Sequence, residues 1–422
     1  MNLFDELTWR GLVSDRTDEI PRLLGEGRVT AYIGFDPTAA SLHVGSLLTV
    51  MGLARLQRFG HIPIAVVGGG TGMIGDPSGK AHERSLLSAE QVETNVIGIR
   101  AQLERFLDFD ASSNAARIVN NSEWLASMDV LTFLRDVGKY FTVNYILQKE
   151  SVSRRLESEE GISYTEFSYL LLQSYDFLQL FDRYGCTVQM GGSDQWGNIT
   201  AGIDLVRKVR AAKVHGHVWP LMKTASGEKF GKTEAGAVWL DAARTSPYRF
   251  YQFWLNTDDR EVGRYLRYFT FKRQGEIEDL ERCVLERPGE REAQRALARE
   301  VSTIVHGADH VSRVERASNV LFGEDIGSLP VEDVLAVFDD VPSTEVTFHE
   351  LEGGVGLVDM VVRARLASSK AEARRLVQSG GVYVNNRRAS DPMVRLVAEQ
   401  AIGGRLFVLR KGQRQNHLVR IV

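Results

Sequence analysis

The sequence predicts an α/β protein in three parts: a parallel-sheet domain, an all-helical domain and a small α+β domain. Three observations carry that reading. Strand-like and helix-like segments alternate over the first two hundred residues. Helix-forming character without a strong strand follows from about Ser246 to Phe322, and a compact basic stretch closes the chain. With 422 residues, 43% hydrophobic and 25% charged, the composition is that of a globular protein of two or three domains, which excludes disordered, collagenous and coiled-coil classes.

Taken in order, residues 29–35 read as a strand, Asp36-Pro37-Thr38 as a turn and Val44–Arg58 as an apolar helix. Ile62–Val67 is a short buried strand ending in glycines. Residues 116–120 and 186–190 are further strands, and Tyr164–Tyr184 is a long helix. Strands separated by helices favour right-handed crossovers and a parallel, Rossmann-like sheet, in which ligands sit beyond the carboxyl ends of the strands. Residues 276–287 and 291–305 have the amphipathic period of helices. Residues 331–352 hold seven acidic residues and no Lys or Arg, with Pro330 and Pro342 in or beside them, and read as a linker into Gly353-Gly354. The expected boundaries are 1–222 for the sheet domain, 223–328 for the helical domain, 329–352 for the linker and 353–422 for the last domain.

A net charge of −4 conceals an asymmetry. Residues 361–422 carry 13 Lys+Arg against 3 Asp+Glu, whereas the rest carries 38 against 52. An acidic body with a basic tail directs the tail toward a polyanion such as nucleic acid. Two cysteines, Cys186 and Cys283, cannot form a disulfide framework or a Cys-rich zinc site, and read as thiols of a reducing compartment. Asp5, Glu6 and Arg10 leave no secretory signal in the first ten residues. The longest charge-free stretch, 37–54, is too polar to span a bilayer, so the expectation is a cytoplasmic protein without a membrane partner.

Three literal motif matches fail on chemistry. Gly70-Thr71-Gly72-Met73-Ile74-Gly75 fits a dinucleotide fingerprint, but Asp76-Pro77 follows where a helix should open. The phosphate-loop pattern fails because Ile74 stands at its first Gly and Ala81 at its magnesium-binding hydroxyl. Gly191-Gly192-Ser193-Asp194-Gln195 lacks the last Gly of a nucleophile elbow.

Two other segments carry more. Thr38, His43, Gly45 and Ser46 sit at a strand-to-helix junction, where exposed N–H groups and the helix dipole suit phosphate and Gly45 admits a flat ring close to the backbone. Glu228-Lys229-Phe230-Gly231-Lys232-Thr233 sets two lysines around a Gly, a cationic loop suited to charge developing on a leaving polyphosphate. Tyr169, Gln173 and Asp176 lie at i, i+4 and i+7, a polar stripe on an apolar helix that fits either an internal hydrogen-bonded network or a small polar ligand.

Together these residues carry a resemblance. His43-Val44-Gly45-Ser46 resembles the HIGH signature and Lys229-Phe230-Gly231-Lys232-Thr233 the KMSKS signature of class I aminoacyl-tRNA synthetases. Gly69–Lys80 and Gly191–Asn198 are similar to the bacterial tyrosyl-tRNA synthetase family, over essentially the whole chain. Ser46 stands where HIGH has its second His, and Ile33 where many relatives carry Cys. The resemblance implies L-tyrosine, ATP and tRNA(Tyr) as substrates, with tyrosyl-adenylate as intermediate. It also implies magnesium arriving with ATP, no tightly bound cofactor and no metal held by the protein.

By the same resemblance Tyr32 and Asp176 would meet the substrate phenol. Tyr169, Gln173 and Asp76 would hold its ammonium group, and Gln195 its amino-acid end. Thr38 and His43 would bind the γ-phosphate, and Lys80, Arg84, Lys229 and Lys232 would neutralise the departing pyrophosphate. Asp36, Gly45, Ser46, Gly192 and Asp194 would contact the nucleotide. A homodimer interface would lie around 121–163, including Leu131 and Phe133.

In the basic tail, Ser369-Lys370-Ala371-Glu372 is a capping-box pattern opening a helix that puts Lys370, Arg374 and Arg375 on one side. The tail resembles the small S-four-type RNA-binding module, which implies a grip on tRNA. The competing readings are a nucleotidyltransferase of the same superfold, a catalytically inactive RNA-binding protein and a tryptophanyl relative. Tyr32 with Asp176 suits a phenol better than an indole.

Overall fold

The structure, a computed structural model, describes all residues except 1, 79–85, 158–160, 223–229, 234–235, 322–325, 327–329, 339–340 and 413–414. The chain forms two compact units: Met1–Thr245 with Trp254–Val305, and Ser246–Phe253 with His306–Val422.

The first unit is built on a six-stranded sheet. Its strands are β1 (Asp15–Arg16), β2 (Thr30–Phe35), β3 (Ile62–Val67), β4 (Arg117–Asn120), β5 (Val188–Gly192) and β6 (His215–Trp219), in spatial order β1-β6-β5-β2-β3-β4. All neighbours pair in parallel except β1 with β6. The order reverses at β2, which leads through the helix Val44–Arg58 to β3 on one side and meets β5 on the other. The helices Tyr164–Tyr184 and Trp196–Arg210 pack together, and Tyr32, Ile64, Phe177 and Leu205 share the core beneath them. Burying a Leu, Ile or Phe side chain of this kind stabilises by about 1.5–3 kcal/mol.

The strand expected at 186–190 lies two residues later, at Val188–Gly192. β6 escaped notice because His215-Gly216-His217 reads as polar, yet all five of its residues are buried. The N-terminal segment supplies the partners: His217 Nε2 lies 2.9 Å from the Leu12 carbonyl, and His215 Nδ1 lies 3.3 Å from Thr17 Oγ1. Burial pulls the His217 pKa down to about 4, so this strand carries no charge there at neutral pH. The stretch expected to be a separate helical domain is shared out, since Asp259–Phe269 and Gln274–Glu286 belong to the unit that holds the sheet. Two short antiparallel strands, β7 (Lys232–Thr233) and β8 (Gly236–Ala237), complete that unit.

In the second unit, β9 (Ser343–Val346), β11 (Val382–Val384), β12 (Arg387–Ala389), β14 (Leu406–Lys411) and β15 (Gln415–Ile421) form a sheet in the order β12-β11-β14-β15-β9. β10 (Val355–Gly356) pairs separately with β13 (Arg395–Leu396). The expected linker therefore contains structure: a helix at Val331–Val337, then β9 in parallel with β15, then the helix Phe348–Glu352. Buried Val346, 1% exposed, ties that acidic stretch to the core formed with Leu357, Val361, Val377 and Phe407. Asn385 and Asn386, at φ 48° and 61°, make the two-residue turn between β11 and β12 that the twist of a hairpin favours. The helix Lys370–Gln378 is capped by Ser369, but Glu372 reaches back to Ser368 rather than closing a box on Ser369.

The helix Ala89–Leu103 buttresses the loop after β2 through one face. Asn95 Nδ2 donates to the Pro37 carbonyl at 2.8 Å, and Gln102 accepts from Leu42 N at 2.8 Å while donating to Ser41 Oγ at 2.8 Å. Between them Gly98 lets the helix backbone approach Ala40, whose carbonyl oxygen a Cβ would strike. Gly98→Ala is expected to cost about 1–3 kcal/mol through overpacking. Gly275→Ala, where a Cβ meets nothing within 4 Å, is expected to raise stability by about 0.4–1 kcal/mol. Urea unfolding followed by tryptophan fluorescence checks both, since all six tryptophans lie in the first unit.

Candidate active site

Beyond the carboxyl ends of β2 and β5, at the point where strand order reverses, a cleft of about 890 Å³ opens. This is where open parallel sheets place ligands, because the loops leaving adjacent strands diverge there. Tyr32, Asp36, Asp76, Tyr169, Gln173, Asp176, Asp194 and Gln195 all line it, together with Thr38, His43, Gly45, Ser46 and Gly192.

At the dry end stand Tyr32 and Asp176. Tyr32, 1% exposed on β2, packs edge-on against Phe177 at 5.3 Å between ring centroids, and its hydroxyl finds no hydrogen-bond partner among the described residues. Burial, reinforced by the Asp176 charge, holds that phenol in its neutral form, well above the usual tyrosine range. The Asp176 carboxylate accepts from Trp124 Nε1 at 2.7 Å and Asn121 Nδ2 at 2.9 Å. Burial pushes its pKa up to about 7, these two bonds pull it down, and Asp36 adds a smaller upward push.

A hydrogen-bonded chain leads outward from there. Asn121 also donates to Thr71 Oγ1 at 2.9 Å, Thr71 to Asp36 Oδ1 at 2.9 Å, and Tyr169 Oη to Asp36 Oδ2 at 2.9 Å. Asp36, expected at the nucleotide, is thus the acceptor that fixes Tyr169. A second network joins the remaining polar residues. Gln195 Nε2 donates to Asp76 at 2.7 Å, Gln173 Nε2 to Gln195 at 3.2 Å, and Asn198 Nδ2 to Gln173 at 2.9 Å. Asp76 also accepts from Ser78 N at 2.9 Å, so its carboxylate is aimed from both ends.

Sequence reasoning missed Thr71, Asn121, Trp124, Asn198 and Gln189. Asn120-Asn121 at the end of β4 and Asn198 three residues beyond Gln195 are signals that could have found two of them. Gln189 is Tyr32's register partner across β5 and β2; its side-chain oxygen has no hydrogen-bond partner among the described residues, and it lines the same cleft.

The two signature segments meet at the backbone. His43 caps the helix Val44–Arg58 in an extended conformation, and its ring meets Trp239 at 6.0 Å. The flat ring that lies close to Gly45 is this imidazole: a Cβ on Gly45 would sit 2.7 Å from His43 Cε1. Val44 N donates to the Val238 carbonyl, Leu240 N to Leu42, and Val238 N to Gly231, at 2.9, 2.9 and 3.1 Å. Gly231, at φ +83°, needs glycine twice over, since a Cβ would also stand 2.7 Å from Val44 Cγ2. Thr38 is exposed at the rim. Lys232 is placed by its backbone in β7, whereas its side chain and Lys80, Arg84 and Lys229 lie outside the described residues.

In the second unit Arg374 and Arg375 are exposed, and Lys370 pairs with Asp359 at 2.6 Å. Leu131 is 74% exposed, in company with Val130 and Val143, while Phe133 packs against the core. No helix among the described residues is long and apolar enough to cross a membrane.

Residues 25–323 match the family model of class I tRNA synthetases (W and Y), and residues 333–419 match that of the tyrosine–tRNA ligase SYY-like C-terminal domain. A tyrosine–tRNA ligase of Roseiflexus castenholzii is 55% identical over 421 residues, covering 100% of this chain and 99% of its own length. That of Geobacillus stearothermophilus is 52% identical over 423 residues, covering 100% of both. A C-terminally truncated mitochondrial tyrosyl-tRNA synthetase of Aspergillus nidulans shares the fold with a TM-score of 0.69 at 32% identity, over 76% of this chain and 94% of that one. Signatures, cleft and full-length relatives converge, and the chain belongs to the tyrosine–tRNA ligase family of class I tRNA synthetases.

Proposed function

We propose that the cleft beyond β2 and β5 is where tyrosine meets ATP, with the phenol at Tyr32 and Asp176 and the amino end at Gln173, Asp76 and Gln195. The observation that carries this reading is the unpartnered Tyr32 hydroxyl beside a buried carboxylate whose two bonded neighbours leave lone pairs for one more donor. A phenol hydroxyl answers both groups; phenylalanine would leave them unpaired. Tyrosyl-tRNA synthetases are themselves the known example of this penalty, with a rejection of phenylalanine of roughly 10⁵-fold that needs no editing site.

The chain is an aminoacyl-tRNA ligase, and the reaction has two steps. A tyrosine carboxylate oxygen attacks the α-phosphorus of ATP, the bond to the β-phosphate oxygen breaks, and tyrosyl-adenylate and pyrophosphate form. A terminal ribose hydroxyl of tRNA then attacks the tyrosyl carbonyl and AMP leaves. The substrate carboxylate is already ionised, so activation asks the protein for position and charge stabilisation. Thr38 and His43 would meet the γ-phosphate. Lys80, Arg84, Lys229 and Lys232 would take the charge of pyrophosphate, and magnesium would enter with ATP as part of the substrate. Gly45, Ser46, Gly192 and Asp194, which line the cleft, would contact the nucleotide, whereas the bonds of Asp36 to Tyr169 and Thr71 favour a role in orienting Tyr169.

Arg374 and Arg375, with Lys370, would grip tRNA phosphates. The exposed Val130, Leu131 and Val143 would be covered in a homodimer, and the compartment would be the cytoplasm.

Tyrosine-dependent exchange of labelled pyrophosphate into ATP, with phenylalanine and tryptophan as controls, tests the reading: exchange with tyrosine alone supports it, and exchange with none removes it. Lys232→Ala is expected to slow single-turnover adenylate formation by roughly 10²–10³-fold while tyrosine affinity stays the same. Because the ionised Asp176 is the better acceptor, tyrosine affinity measured by equilibrium dialysis should rise from pH 6 to 8. Asp176→Asn should weaken it by roughly 10–100-fold, the loss of one charged hydrogen bond, and flatten the profile. Reversing Arg374 and Arg375 to Glu should weaken tRNA binding and lower its salt slope by roughly 0.7–0.9 per lost phosphate contact, with pyrophosphate exchange intact.

A further inference from the structure

The helix Val44–Arg58 begins at the first signature and carries, near its other end, an arginine that is 1% exposed. Arg55 Nη2 donates to three carbonyls that close the helix Asp259–Phe269: Tyr268 at 2.6 Å, Thr270 at 3.0 Å and Arg267 at 3.2 Å. Arg10 converges on the same end. Its Nη1 donates to Arg267 and its Nη2 to Lys272, each at 2.6 Å, while its Nε pairs with Glu6 at 2.6 Å. Helix C-terminal carbonyls lack partners and carry the negative end of the dipole, so one cation is a natural cap. Two buried guanidiniums sharing one carboxylate is a different matter, because each must be desolvated and they repel. Burial and the Arg10 charge bring the Arg55 pKa down to about 9, and its Nε and Nη1 have no hydrogen-bond partner among the described residues. An apolar contact would hold two helices together without that cost.

The helix end so gripped carries the seat of the second signature. Phe230, 3% exposed, stacks on Phe269 at 5.4 Å and meets Tyr265 at 5.1 Å and Trp254 at 5.9 Å. The next residue, Gly231, lies against Val44 and Gly45. A closed circuit results: from Val44 along its helix to Arg55, across to the end of Asp259–Phe269, through the aromatic seat to Phe230 and Gly231, and back to Val44. Direction is fixed at the helix end, where Arg10 spans the Arg267, Thr270 and Lys272 carbonyls with both terminal nitrogens of its fork and Arg55 brings one nitrogen, Nη2, to three carbonyls at once.

We infer that Arg55, seconded by Arg10, is a positioning residue for the second signature: it fixes the seat of Phe230, and with it where Gly231 and the backbone of Lys232 stand relative to His43. The inference rests on the reading of that loop as the element that stabilises departing pyrophosphate. Neither arginine lines the cleft.

Arg55→Lys keeps the charge on an arm one bond shorter, so that its ammonium stops short of the carbonyls that Nη2 reaches. In the full chain, tyrosine affinity is expected to stay within about twofold while single-turnover adenylate formation slows by roughly 10–100-fold, the scale of a small misplacement of catalytic groups. Phe230→Leu, which leaves both arginines in place, should show the same split, and Arg10→Lys, which leaves Arg55 and the signature untouched and takes the fork from the same helix end, decides the matter if Arg55→Lys does not fold. A folded Arg55→Lys that forms adenylate at the parent rate overturns the inference. So does a loss of rate and tyrosine affinity together, in proportion to the folded fraction. Lys232→Ala is measured alongside: no effect there removes the reading of the loop itself, whereas an effect there with none at Arg55 or Phe230 removes only this inference.

Discussion

A carboxylate in a dry place has to be answered, and the Asp176 group at the closed end of the cleft organises much of what surrounds it. Asn121 and Trp124 each give it one hydrogen bond, and those two side chains are held in turn by the end of β4 and the short helix that follows. Asn121 passes the order on, since the same amide meets Thr71 and its oxygen accepts from Gly70 N at 2.8 Å. The glycine-rich turn after β3 is therefore shaped from below by the residue that orients the carboxylate. Buried polar networks specify one arrangement only when every member is satisfied. Here the conspicuous exceptions, the Tyr32 hydroxyl and the Gln189 oxygen, both line the cleft.

The other half of the cleft is governed by backbone proximity. His43, Val44 and Gly45 pack directly on the segment that includes Gly231 and Val238, and the buttressing helix presses its own backbone on Ala40. Side chains can swing through several ångströms, but a backbone held by hydrogen bonds on both sides cannot. Such rigidity suits chemistry whose rate depends on where fixed dipoles and charges stand when a bond breaks.

The second unit works by other physics. Its sheet, of mostly antiparallel strands, carries a dense core of Val, Leu and Phe beneath a surface rich in arginine. Several of those arginines are structural: Arg388, on β12, donates to the Ser379 and Gly380 carbonyls at the end of the helix Lys370–Gln378, and Arg410 lies 3.9 Å over the Tyr383 ring. Net positive charge is thus a poor guide to which cations meet RNA. Arg374 and Arg375, by contrast, stand exposed on one helix.

The sequence by itself determined the fold class, the long helix Tyr164–Tyr184 to the residue, the polar stripe upon it and both signatures, because those depend on local period and on short-range spacing. It also exposed the split in charge. Tertiary structure alone decided the rest. The strand His215–Trp219 is a strand because distant Leu12 and Thr17 meet its histidines, and Ser343–Val346, within the longer acidic stretch, is a strand because β15 offers it an edge. Asp36 serves Tyr169, 133 residues away, and Arg55 caps a helix more than two hundred residues later. Such pairings have no local signature: a side chain's chemistry can be read from its type, but its partner is chosen only when packing brings the two within hydrogen-bond reach.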